Sequence, residues 1–214
     1  MPLKYSCFIS YARTSSDYAE RIVDQFCRAL REELELWMNE PLYVDTERLQ
    51  AGDLFEEAIA HAICESVSMI VLFTPTYFDQ DRPRFAREYL AMETIERRRL
   101  GVLGLSPGTG HDLIIPIALR GGRYAPPPIK SRRFYSFEQY LLGSGRWFQT
   151  VRVRQQLSSI AEYIAARRDD LANITAPESN CTSFRLPSAE ETRTWLARTG
   201  AADRVAPFPL REVR

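Results

Sequence analysis

The chain has 214 residues, 45% hydrophobic and 26% charged, the profile of one globular domain of ordinary size plus a short tail. Lys+Arg and Asp+Glu are equal at 28 each, so no overall field draws the chain to nucleic acid or a membrane surface. No apolar run approaches the roughly 20 residues needed to cross a bilayer, and the N-terminus lacks a signal-peptide core, so a cytoplasmic protein is expected. Cys7, Cys27, Cys64 and Cys181 show no paired metal-ligand spacing. The apolar surroundings of Cys7 and Cys64 predict buried, reduced thiols.

Residues 5–10 form a first strand, short and apolar as a buried parallel strand should be. A helix starts at Asp17, with Glu20 at capping-box spacing and a stripe of Ile22, Phe26, Ala29, Leu30 and Leu34. The second strand is 42–45, and a helix from Asp53 buries Phe55, Ile59, Ala62 and Ile63. The third strand, 68–74, is the most continuously apolar and should be central. Pro83 sits near the start of the next helix, which runs to about Leu100. A Gly-rich loop over 101–110 leads to a fourth strand at 113–119, where Pro116 disfavours pairing on one side. A short strand near 134–137 and an amphipathic helix with Leu157, Ile160 and Ile164 follow.

Alternating strands and helices with short links predict a doubly wound α/β domain over 1–170: a flavodoxin-like, parallel five-stranded sheet flanked by helices. Residues 171–214 read as a linker, a short helix capped by Ser188 and Glu191 and ended by Gly200, and an extended tail. The helix carries Trp195 and Leu196, and the tail is too small for its own core, so it packs back on the domain or docks on a partner.

In open parallel sheets ligands sit beyond the carboxyl ends of the strands. Ser10, Tyr11 and Arg13 follow strand one, Asp45 and Glu47 follow strand two, and Thr74 ends strand three, so all three groups should border one crevice. Glu88, on the helix that starts on that side, shares a face with Met92 and Ile95 and is placed to be partly desolvated. His61, in an apolar helix, and His111, in a loop, offer neither a metal set nor a nucleophile–base pair.

Four segments carry a family resemblance: Phe8-Ile9-Ser10-Tyr11-Ala12; Val44-Asp45 with Glu47, Leu49, Gly52 and Phe55; Ala62-Ile63 with Ser66, Ile70-Val71-Leu72-Phe73-Thr74-Pro75 and Tyr77-Phe78; and Arg87-Glu88-Tyr89-Leu90-Ala91-Met92-Glu93. In this order they resemble the successive boxes of a TIR domain, the Toll/interleukin-1 receptor and resistance-protein module, over residues 5–168. The resemblance implies the TIR fold and a stand-alone, bacterial-type immune component working with a separate sensor or effector protein. TIR domains divide into NAD-cleaving enzymes and non-enzymatic scaffolds, and both remain open at this point. In the enzymes one glutamate assists cleavage of the nicotinamide–ribose bond of NAD, giving nicotinamide and ADP-ribose or a cyclic isomer; Glu88 takes that position. No metal or cofactor is implied, NAD being the substrate, and activity would depend on TIR–TIR assembly, the 45–52 loop of one copy completing its neighbour's pocket.

Tyr11 and Arg13 match positions that contact the dinucleotide, by ring stacking and phosphate pairing; a capping aromatic and a solvated arginine are the plainer alternatives. Asp45 reads as a ligand contact or a turn cap, Gly52 as a backbone device, and Phe55 as pocket lining or core. Glu88 itself could be an exposed helix acid paired with Arg84 four residues earlier; Glu93, with Arg97 as its partner, is the alternative acid. The chain departs from the family at Arg84-Phe85, where Trp-Cys is usual, at Gln50, and at Trp37-Met38-Asn39-Glu40 before strand two. A generic flavodoxin-like nucleotide domain is the weakest reading, because no Gly-rich phosphate loop follows strand one.

Overall fold

The computed structural model describes residues 3–12, 17–44, 53–79, 83–140, 147–172 and 181–201. Among these residues five strands form one parallel sheet: β1 (Tyr5–Tyr11), β2 (Tyr43–Val44), β3 (Ser66–Phe73), β4 (Ile114–Ala118) and β5 (Tyr135–Ser136), in the order β2-β1-β3-β4-β5. The helices are α1 (Asp17–Leu34), α2 (Asp53–Cys64), α3 (Arg84–Val102), a single turn α4 (Pro127–Lys130), α5 (Val151–Ala172) and α6 (Ala189–Thr199). The chain reverses direction across the sheet after β2, which puts α1 and α5 on one face and α2 and α3 on the other. This is the doubly wound, flavodoxin-like architecture expected from the sequence.

β3 is central and all eight of its residues are buried, as its unbroken apolar run requires. It begins two residues before the strand read from the sequence, because Ser66 pairs with Tyr5 of β1. β1 runs one residue further than the 5–10 read from the sequence, so Tyr11 lies in the strand opposite Leu72, beside Ser10 opposite Val71. Pro116 is tolerated in β4 because its register partner is Val71 of β3, while β5 joins only from Ile117 onward. The stripe foreseen for α1 is buried in full, and its Phe26 meets Phe137 edge-on at 5.8 Å.

A buried charge cluster fixes the lower half of α3. Glu96, 0% exposed, accepts from the backbone amides of Leu113 (2.6 Å) and Ile114 (3.1 Å) at the start of β4 and pairs with Arg132 at 2.6 Å. Arg132 also meets Asp112 at 3.2 Å and donates to the Tyr89 hydroxyl at 2.9 Å. Burial pushes the Glu96 carboxyl up, against the opposing pull of Arg132 and the two amides.

The segment after α5 corrects the reading of the cysteines. Cys64, expected as a reduced thiol, is bonded to Cys181, 117 residues away; Cys7 and Cys27 are the free, buried thiols, both raised by burial, Cys27 to about 12. Apolar surroundings did favour burial at Cys64, but the last turn of α2 also faces the returning C-terminal segment. From Cys181 that segment crosses α2 and α3: Arg185 pairs with Glu57 at 3.3 Å, and Arg87 donates to the Pro187 carbonyl at 2.7 Å. α6 then opens on a full Ser188–Glu191 capping box and ends at Gly200, which adopts the left-handed conformation a C-terminal glycine serves. Its Trp195 is 3% exposed, packs against Phe78 and Tyr89 at 5.7 and 5.4 Å, and donates to Glu93 at 3.2 Å. The described part of this segment, 181–201, therefore packs back on the domain.

Cys181→Ser is expected to lower global stability by about 2 kcal/mol, at the lower end for a long cross-link, because the 181–188 strap can detach while α6 keeps its own contacts. Urea unfolding of the variant beside the parent, with and without a thiol reductant, checks this: reductant should bring the parent to the variant's midpoint.

Candidate functional site

Three elements bring side chains to the carboxyl edge of the sheet: the end of β1, the turn that follows β3, and the first turns of α3. Pro83 precedes α3, so Glu88 falls on the second turn, on the face that continues into buried Met92 and Ile95. Glu88 is 3% exposed. Its Oε2 accepts the Ser10 hydroxyl at 2.6 Å, and its Oε1 accepts from Arg84 Nε at 3.2 Å. The Arg84 pairing noted in the sequence is therefore real, but the acid is buried and not on a solvated face. The far side of Ser10 Oγ touches the Tyr77 hydroxyl at 2.7 Å, and Tyr77 is 0% exposed. Burial raises Tyr77 well above its ordinary value, and the charge of Glu88 adds to this.

Phe55, near the start of α2, is half-buried and was expected deeper; the Arg84 guanidinium lies 4.8 Å from its ring centre. Arg84, standing where the family has tryptophan, thus joins Phe55 to Glu88. One residue before Glu88, Arg87 grips Glu56 of α2 with two bonds of 2.6 and 2.8 Å, and the Arg87 hydrogen bond holds Glu56 below the usual carboxylate range.

Of the residues read from the sequence, Ser10 and Glu88 are in direct contact, and Phe55 reaches them through Arg84. Tyr11 ends β1 opposite Leu72, half-buried. Thr74 directly follows β3, and its hydroxyl engages Thr76 at 3.2 Å. Arg13, Asp45 and Gly52 lie outside the described residues. The alternative acid, Glu93, is held elsewhere on α3, by Arg97 at 3.3 Å and by Trp195. Among the described residues no group of His, Cys, Asp and Glu is placed to hold a metal ion, and no helix is long and apolar enough to cross a membrane.

Tyr77 was missed in the sequence. It stands in the stretch Thr74-Pro75-Thr76-Tyr77-Phe78 that carries part of the resemblance, but its neighbours suggest a core aromatic. A phenol buried with its hydroxyl toward a strand-end serine is not visible from spacing alone.

A model of the TIR domain family matches residues 7–147, roughly two-thirds of the chain. The chain belongs to this family. Among curated proteins, none matches it. The TIR match takes in β1 from Cys7 onward and all of β2 to β5, and it stops just before α5, so every side chain of the Ser10–Tyr77–Glu88–Arg84 group lies inside it. α5, the disulfide partner Cys181 and α6 fall beyond it.

Proposed function

We propose that this TIR protein is an NAD+ nucleosidase that cleaves the nicotinamide–ribose bond, releasing nicotinamide and ADP-ribose or a cyclic isomer of it. The observation that supports this most is Glu88: a carboxylate 3% exposed, at the ligand-binding edge of a parallel sheet, with one oxygen already fixed by Ser10.

Ordinary glycosidases need two carboxyl groups, one of them to protonate the leaving oxygen. NAD needs no such acid. Its pyridinium nitrogen carries a positive charge, and the electron pair of the breaking C1′–N bond returns to the ring, so nicotinamide leaves neutral. Positive character builds on the ribose, and a single carboxylate in a dry setting can stabilise it while accepting the ribose hydroxyls. Water then adds at C1′ and gives up a proton to solvent. Arg84, with a side chain 39% exposed, covers the Oε1 edge, and substrate hydroxyls would take its place as donors there. Tyr11 and Phe55 would make ring contacts and Arg13 would meet a phosphate; Asp45 and Gly52 belong to the loop through which a second copy is proposed to complete the site. Self-association, a separate sensor or effector protein, and a role in antiviral immune signalling belong to the same reading.

A non-enzymatic scaffold acting through TIR–TIR contacts is the second reading. Its support is that Glu88 is already bonded within the chain by Ser10 and Arg84, as a structural acid would be. Nicotinamide release from NAD by the purified protein, at high concentration with a crowding agent, separates the two. Release by the parent and none by folded Glu88→Ala supports the enzyme; release by neither favours the scaffold.

A further inference from the structure

Two contacts of Glu88 with described residues are unlike. At Oε1 the donor is Arg84, from the preceding turn of the same helix, at 3.2 Å and with a side chain 39% exposed. At Oε2 the donor is Ser10, from another element, at 2.6 Å and 1% exposed. A serine hydroxyl has one proton to give. Spent on the carboxylate, it is not available to Tyr77, so the 2.7 Å contact between the two hydroxyls must be donated by Tyr77. Burial keeps the phenol protonated. The outcome is a one-way chain, Tyr77 O–H to Ser10 Oγ and Ser10 O–H to Glu88 Oε2, that spans the turn after β3, the end of β1 and the start of α3. The Tyr77 ring is itself boxed in by Phe78 and Phe85, at 4.9 and 5.9 Å. Among the described residues the cations beside this group include Arg84 and Arg87, both on α3, and Arg87 is engaged by Glu56 of α2.

We propose that Ser10 and Tyr77 are positioning residues that anchor the Oε2 edge of Glu88 and so turn its Oε1 edge toward the ligand. The proposal rests on the reading of Glu88 as the acid that meets substrate. Tyr77 touches Glu88 only through Ser10, so its hydroxyl should matter only while Ser10 is present.

The test uses the full chain as parent, Ser10→Ala, Ser10→Thr, Tyr77→Phe and the Ser10→Ala/Tyr77→Phe double variant, each checked for folding by thermal unfolding. Nicotinamide release from NAD is measured against pH. The Glu88 carboxyl is titrated by carbon-13 NMR on glutamate-labelled protein, assigned with Glu88→Gln. Ser10→Ala is expected to lower kcat by about 10- to 100-fold with KM changed by no more than about twofold, as loss of a hydrogen bond to a charged group implies. Tyr77→Phe should cost about 10-fold, the double variant no more than Ser10→Ala alone, and Ser10→Thr should restore most of the rate. Removing a donor favours the protonated acid, so the acid limb of the rate profile and the Glu88 resonance should both move to higher pH in Ser10→Ala. Additive losses in the double variant, or a Glu88 titration unmoved by either substitution, overturn the anchor. If the parent releases no nicotinamide, the NAD reading fails on its own, and the carboxyl titration decides the anchor: a shift sustains it and no shift removes it. Should Ser10→Ala fail to fold, Tyr77→Phe, which deletes one hydroxyl, carries the same comparison.

Discussion

Arg132→Ala is expected to lower stability by about 3–5 kcal/mol, read as a drop in the urea midpoint at unchanged slope. The magnitude comes from what remains behind. Arg132 is 5% exposed at its side chain and faces Glu96, Asp112 and, at 3.8 Å, Glu93. Without the guanidinium, Glu96 stays wholly buried with only backbone amides for company, and its desolvation is no longer offset. Whether the intact pair stabilises relative to apolar residues is a separate matter, since buried ion pairs often break even; removing one partner is the costly step. The sign with pH follows. In the variant, the folded-state pKa of Glu96 lies further above its ordinary 4.5, so the folded form holds the proton better than the unfolded chain. The variant should be least impaired at acid pH, below 4.5, and lose stability as pH rises through that raised folded value. A deficit that is flat between pH 4 and pH 8 would mean Glu96 is not the group left stranded.

Glu88→Gln is expected to cut nicotinamide release by about a thousandfold, roughly 4 kcal/mol of transition-state stabilisation, with the unfolding midpoint shifted far less. Glutamine keeps the shape and can still accept the Ser10 hydroxyl, but it has no charge to set against the developing cation. It also places an amide against Arg84 in place of a carboxylate, so affinity for NAD should change along with the rate. A residual rate above about a tenth of the parent's would move the chemistry off Glu88. Glu93 would not be its natural heir, because its carboxylate is spent on Arg97 and the Trp195 indole, away from the strand ends.

The sheet was legible because its information is local. The apolar runs of β1 and β3 and the single-faced stripe of α1 are periodic over a few residues, and each folded as its period requires. Errors at element ends, such as Tyr11 being placed after β1, arose where pairing with a neighbouring strand decides the boundary. Glu88 and Ser10 could be found because they sit at register positions of a family pattern. Glu96 and Arg132 could not, since they lie outside the segments of that pattern and carry no mark of partners 36 and 43 residues away. Tyr77 lies inside one of those segments, but its neighbours read as core and its contact with Ser10 is 67 residues away. The Cys64–Cys181 bond, spanning 117 residues, was hidden for the same reason.

α5 lies outside the stretch that the family model matches, yet its Leu157, Ile160 and Ile164 are each 0% exposed against β1 and β3. A fragment cut at residue 147 would strip α5 from the face it shares with α1 and present the apolar surface beneath it to water. Recombinant boundaries drawn from family membership alone would yield an aggregating product, and an inactive result from such a fragment would say nothing about the chemistry. Cloning that retains the chain through residue 201 keeps both the helix and the cross-linked strap in place.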